Sequence, residues 1–121
     1  MNSTFEIVTD PQTGQQILES KAHKLQVAFS DFEQELNWND ANAVCKTVRG
    51  GWRLPMNFEL KILHEELFKL KLGNFEASQY WGEYDNWKSA FTTYFRIERS
   101  EFVCVITDNH YLRKVRLVRS I

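Results

Sequence analysis

Residues 57–72, NFELKILHEELFKLKL, carry Leu60, Ile62, Leu63, Leu67 and Leu70 on one broad stripe at helical spacing, with Lys61, Glu65, Glu66 and Lys69 outside it. A helix with one apolar side has to be covered, so the rest of the chain must supply a surface that fits it. Gly73-Asn74 ends the run. A second, shorter helix is predicted over residues 38–48, WNDANAVCKTV, where Trp38, Ala41, Val44, Cys45 and Val48 recur at spacings of three and four. Gly50 and Gly51 stop it, and Trp52, Leu54 and Pro55 carry an extended link into the longer helix.

What covers these helices is read from the flanks. FEIVTDPQTGQQIL has the form of a hairpin, with Asp10-Pro11 and Thr13-Gly14 supplying turn chemistry. LQVAF is a short strand-favouring run, followed by the acidic connector SDFEQE. Later in the chain, 90–97, 102–107 and 113–118 read as three strands close enough in sequence for an antiparallel meander. The expected class is α+β: two helices packed on a small antiparallel sheet, with the aromatic-rich 75–87 as a long irregular loop.

At 121 residues the chain is expected to form one domain over 1–121, able to bury a core without disulfide or metal staples. Its 15 basic and 16 acidic side chains leave a formal charge of -1, which offers no general attraction for nucleic acid or an anionic membrane. Aromatic residues, at 14%, exceed what a core alone needs, so some are expected at a binding surface. The start MNSTFEIVTD has neither the basic n-region nor the apolar run of a signal peptide, and no stretch is apolar enough to span a membrane. As written the sequence implies a cytoplasmic protein, and a cell-surface or secreted one if a leader has been trimmed.

Trp38-Asn39-Asp40 is the tripeptide by which many sugar-binding C-type lectins hold calcium. Calcium takes six to eight oxygen ligands, and Asn39 and Asp40 offer two side chains. At a helix start the same residues have another use: Asn37 as N-cap and Asp40 at the third helical position, with Trp38 turned to the core. No metal or cofactor is expected.

The ordered landmarks VTDPQTG, NWNDANAVCKTV, GGWRLPMNFEL, YW and VRLVR, covering roughly residues 8 to 119, resemble a widespread bacterial domain family. That family was first described at the C-terminus of the Legionella collagen-like protein. The resemblance implies a C-type-lectin-like fold, related to formylglycine-generating enzymes and to receptor-binding proteins of some phages and retroelements. It also implies that N- and C-terminal strands pair, that two helices flank the sheet, and that a long loop region presents the ligand surface. In that fold the calcium tripeptide of true lectins sits on a late strand, so the tripeptide at Trp38 is out of place for it. Two positions depart from the family pattern. Met56 replaces the Thr of a capping box that ends at Glu59, so Asn57 becomes the expected cap, and Tyr80-Trp81-Gly82-Glu83 replaces YWSS.

Tyr80, Trp81, Glu83, Tyr84, Asp85, Asn86 and Trp87 are the candidate ligand-binding set, with rings to stack and polar groups to hydrogen-bond. The competing reading places Tyr80 and Trp81 in a small core beneath the loop. Trp38, Asn37, Asp40, Trp52, Arg53 and Glu59 are expected to be structural, with Glu59 or backbone carbonyls pairing the Arg53 guanidinium. His64-Glu65-Glu66 lacks the second histidine of a zinc motif, because Phe68 stands there. In the tail, Val115 and Leu117 are expected on one face, with Lys114, Arg116 and Val118 on a half-solvated other face. Cys45 and Cys104 read as core positions, with a mutual disulfide left open.

The expected function is therefore a non-enzymatic, calcium-independent ligand-binding or adhesion module that takes carbohydrate, peptide or protein through its loop aromatics. The alternatives are a structural component of a surface or phage-like particle, which would use the same rings in a homo-oligomer, and a thiol oxidoreductase using Cys45 and Cys104. Nucleic acid is not an expected partner.

Overall fold

A computed structural model describes residues 3–83, 91–94, 103–106 and 110–121, with side chains for 3–83, 92 and 110–121. It shows a small α+β domain. Strands β1 (Phe5–Thr9), β2 (Gln16–Ser20), β3 (Leu25–Ala28) and β7 (Val118–Ser120) form one antiparallel sheet in the order β1-β2-β3-β7. A second antiparallel sheet contains β4 (Gln79–Trp81), β5 (Phe91–Tyr94) and β6 (Val103–Ile106). Between β3 and β4 lie helix α1 (Trp38–Thr47) and helix α2 (Asn57–Leu63), the latter continued by a π-helical turn over His64–Phe68. No helix among the described residues is long and apolar enough to cross a membrane.

The first hairpin closes through Asp10. Its Oδ1 accepts from Gln12 N at 3.0 Å, and its carbonyl accepts from Gly14 N at 2.8 Å. Gly14 supplies the positive φ, 73°, that this turn needs. Strand alternation then decides which helix each residue meets. In β2, Leu18 packs with Leu60, Leu63, Leu67 and Phe68 on the α2 side. Its neighbour Ile17 packs with Trp38, Ala41 and Cys45 on the α1 side. Strands β2, β3 and β7 are thus covered on both faces, while the edge strand β1 stays largely open.

That double cover explains the main differences from the sequence reading. The 113–118 run does not complete a meander with β5 and β6. Lys114 makes a parallel bridge to Tyr80, and Val118 leaves to pair with Val27 of β3. The alternation assigned to this tail holds, since Val115 and Leu117 face α1 while Val118 faces α2. The half-solvated face does not: Val115, Arg116, Leu117 and Val118 are all buried, because protein lies on both sides. Likewise 75–87 is not irregular throughout. It contains β4, whose Tyr80 enters the α2-side core and whose Trp81 enters the α1-side core.

Helix starts follow short-range hydrogen bonding. Asn37 caps α1, its Oδ1 accepting from Asp40 N at 2.8 Å, and Trp38 is buried with its indole N–H on Gly82 O at 2.8 Å. At α2 the expected shift of the cap to Asn57 does not occur. Met56 is the N-cap, and Glu59 reaches back to accept from Met56 N at 2.9 Å. One half of a capping box suffices here, because Arg53 fixes the same carboxylate with bonds of 2.6 and 2.8 Å.

His64 opens the π turn, fully buried and stacked on Phe68 at 5.6 Å between ring centroids. Burial, then the nearby Lys69 charge, holds its pKa below the ordinary value of 6.5. An unfolded chain therefore binds a proton that the folded one refuses, so stability falls as pH drops below about 6.5, by up to about 1.4 kcal/mol per unit. Thermal melts at pH 7.5 and 5.5 should show this decline in the wild type and lose most of it in His64→Leu. An equal decline in both proteins would rule His64 out as its source.

Candidate functional site

A cleft of about 630 Å³ opens on the α1 side of the sheet, between the β1–β2 turn, the segment after β3, the end of α1 and Trp52. Ile17, Ala28, Phe29, Phe32, Trp52 and Leu117 give it an apolar floor, with Val48 at one lip. Of these, Ile17, Trp52 and Leu117, with Ala28 and Phe32 packed against them, are the open margin of the α1-side core, with Ile17 at 5% and Leu117 at 8% exposure, whereas Phe29 packs against the α2-side core. The rim is polar, from Thr13, Gln15, Gln16, Ser30 and Glu33.

Rigid polar anchors hold both ends. Arg119 lies over the Trp52 ring at 4.4 Å and donates to Gln26 Oε1 at 2.6 Å and to Gly50 O at 3.2 Å. A Cβ on Gly50 would come within 2.4 Å of the Arg119 Nη1, so this approach requires glycine, as does the φ of 109°. Arg119 also pairs with Asp10 at 3.5 Å. The Asp10 carboxyl is held below the usual range, first by the Gln12 N–H and also by Arg119. At the other end Arg116, fully buried, donates from Nε to Asp31 Oδ1 at 2.8 Å, and Tyr80 donates its hydroxyl to Asp31 Oδ2 at 2.8 Å.

Two of the carboxylates in the cleft, Asp10 and Asp31, are therefore already neutralised from behind by arginines, and Glu33 remains exposed at the mouth. Among the described residues, no Lys, Arg, His or Cys lines the cavity. Among the described lining residues no imidazole stands beside the Thr13 and Ser30 hydroxyls, and the lining supplies shape, apolar contact, amide and hydroxyl groups and the exposed Glu33 carboxylate.

The residues singled out in the sequence fall into separate places. Tyr80 and Trp81 are fully buried, so they are corrected from ligand-stacking rings to core residues, as the competing reading had them, though in two clusters and not one. Burial, reinforced by the Asp31 charge, drives the Tyr80 hydroxyl far above its ordinary pKa. Glu83 is half-buried, and its backbone N–H donates to Pro55 O at 2.9 Å. Tyr84, Asp85, Asn86 and Trp87 lie outside the described residues. Arg53 and Glu59 form the expected pair, and Arg53 also donates to Ser120 Oγ at 3.0 Å, joining the α2 entrance to β7. Burial pushes the Cys45 thiol up to about 11, so it stays protonated and a poor nucleophile at neutral pH, while the Cys104 side chain lies outside the described residues.

Sequence reasoning missed Asp31, Arg116 and Arg119 as anchors and Trp52 as a cleft wall. The signal was thin, because an acidic connector and a basic strand 85 residues apart give no sign that they meet. No family model matches the chain, and no curated protein matches it in sequence.

Proposed function

We propose that this chain is a non-enzymatic ligand-binding module of C-type-lectin-like architecture, taking a carbohydrate or peptide ligand without calcium in the Trp52 cleft. The observation that carries this reading is the cleft itself, about 630 Å³ with an apolar floor and an amide and hydroxyl rim, within the usual size range of ligand pockets. Its walls are held by the Arg119 and Arg116 networks, so little ordering entropy is lost on binding. The two-helix α+β plan and the ordered landmarks from the TG turn to the terminal arginines support the architectural part.

Val48, 38% exposed at the lip, allows the cleft to be blocked without opening the core. Glycan and peptide arrays should yield a ligand whose affinity falls at least tenfold in Val48→Arg, with an unchanged melting temperature. Unchanged affinity in that variant, or an array with no binder, contradicts the cleft as the site.

A further inference from the structure

We infer that the outer edge of β1 is a homodimer interface, where two copies join β1 to β1 in antiparallel register centred on Ile7. β1 is the terminal strand of its sheet, and among the described residues no strand pairs with its outer side. Asp10 N donates inward to Gln15 O at 2.8 Å. Backbone direction alternates along an antiparallel ladder, so Val8 and Glu6 also turn their N–H and C=O toward β2. Phe5, Ile7 and Thr9 turn theirs outward. The Phe5 N–H accordingly finds a hydroxyl outside the ladder, Ser3 Oγ at 3.1 Å.

Edge strands of monomers are commonly guarded by lysine, proline or a bulge. FEIVT has no Lys or Pro, and its pairing with β2 runs unbroken through all 5 residues. Ile7, in the middle, is 57% exposed.

The occupant follows from charge and register. Two-fold pairing must match outward residues with outward residues, so the axis passes through a residue position. With the axis at Ile7, Ile7 meets its own copy, Phe5 meets Thr9 and Glu6 meets Val8, so the whole strand pairs and no like charges face each other. With the axis at Glu6, two carboxylates stand directly opposite in a close pair, which is unfavourable. With the axis at Val8, Glu6 opposes Asp10 and Phe5 opposes Pro11, which has no N–H to give. The strand is thus complementary to itself in one register, and the product is a continuous sheet built from two sets of 4 strands.

Sedimentation equilibrium over a concentration series, together with oxidative cross-linking, tests this. The wild type should show a reversible dimer. Ile7→Pro removes one outward N–H and none of the β1–β2 ladder, and should raise the dimer Kd at least tenfold with an unchanged far-UV spectrum. Ile7→Cys should give a disulfide-linked dimer, because Cα atoms of a hydrogen-bonded antiparallel pair lie about 5.5 Å apart, within disulfide reach. Thr9→Cys should not, since its two copies would stand about 13 Å apart. The wild type under the same oxidation is the baseline for Cys45 and Cys104. A wild type that stays monomeric throughout overturns the inference, and so does a dimer in which Ile7→Cys fails to cross-link.

Discussion

Arg116→Met is expected to lower unfolding stability by about 3–5 kcal/mol, the usual penalty for removing one partner of a buried ion pair. The guanidinium is fully buried and serves several acceptors: Asp31 Oδ1 at 2.8 Å, Ala28 O at 3.1 Å and Gly73 O at 2.7 Å. It also lies 3.8 Å over the Phe75 ring. Methionine fills part of the space and leaves the Asp31 carboxylate in a partly buried site where, among the described residues, the Tyr80 hydroxyl is its one remaining side-chain donor. Three separate stretches, the exit of β3, the loop after α2 and the entry to β7, lose their shared anchor. At roughly 4 °C per kcal/mol for a chain of this length, the melting temperature should fall by about 12–20 °C. Denaturant melts of Arg116→Met, Asp31→Leu and the double variant would separate the parts. The double variant should be less destabilised than the sum of the singles, because it removes both charges together. Strict additivity would mean that the pair carries no coupling.

Trp81→Ala should cost about 3–5 kcal/mol, the range for truncating a fully buried large aromatic. Trp81 is completely buried in the α1-side core with Trp38, Trp52, Leu54 and Val115. Its indole N–H donates to Leu36 O at 2.6 Å, and its backbone N–H donates to Lys114 O at 3.0 Å. Only the side-chain terms are lost on mutation, so the cavity dominates. Trp81→Phe keeps much of the volume and drops the indole bond. Leu36 O retains the Arg113 N–H at 3.0 Å, so that variant should lose only about 1–2 kcal/mol. Urea melts of the two variants should therefore differ clearly. Equal and small losses would mean that this region does not form part of the cooperative core.

What was legible in the sequence was local. The hairpin announces itself because Asp10 and Gly14 are chosen for one turn, and α1 because Asn37 stands three residues before the backbone N–H it caps. Arg53 could be matched to Glu59 because they are 6 residues apart and a buried guanidinium must find a carboxylate. The destination of the C-terminal strand was not legible. Alternation predicts a dry face and a wet one, and it correctly sorts Val115 and Leu117 from Arg116, but it cannot tell that protein covers both sides. The same ambiguity hid β4: the sequence allows Tyr80 and Trp81 as ligand-stacking rings or as one small core beneath the loop, and they are buried in two different cores. The cleft was invisible for a related reason. Its walls come from residue groups near 10–17, 28–33, 48–52 and 117, and nothing in the sequence signals that these separate groups meet.

The most direct test of the Trp52 cleft is a titration of the isotopically labelled chain with the tightest array ligand, followed by amide and indole chemical shifts. Binding in the cleft should move Ile17, Ala28, Val48, Leu117 and the Trp52 indole together and saturably, at a ligand concentration matching the array affinity. Shifts confined to residues 80–87, with the Trp52 indole and Leu117 unmoved, would contradict it and return the site to the aromatic segment.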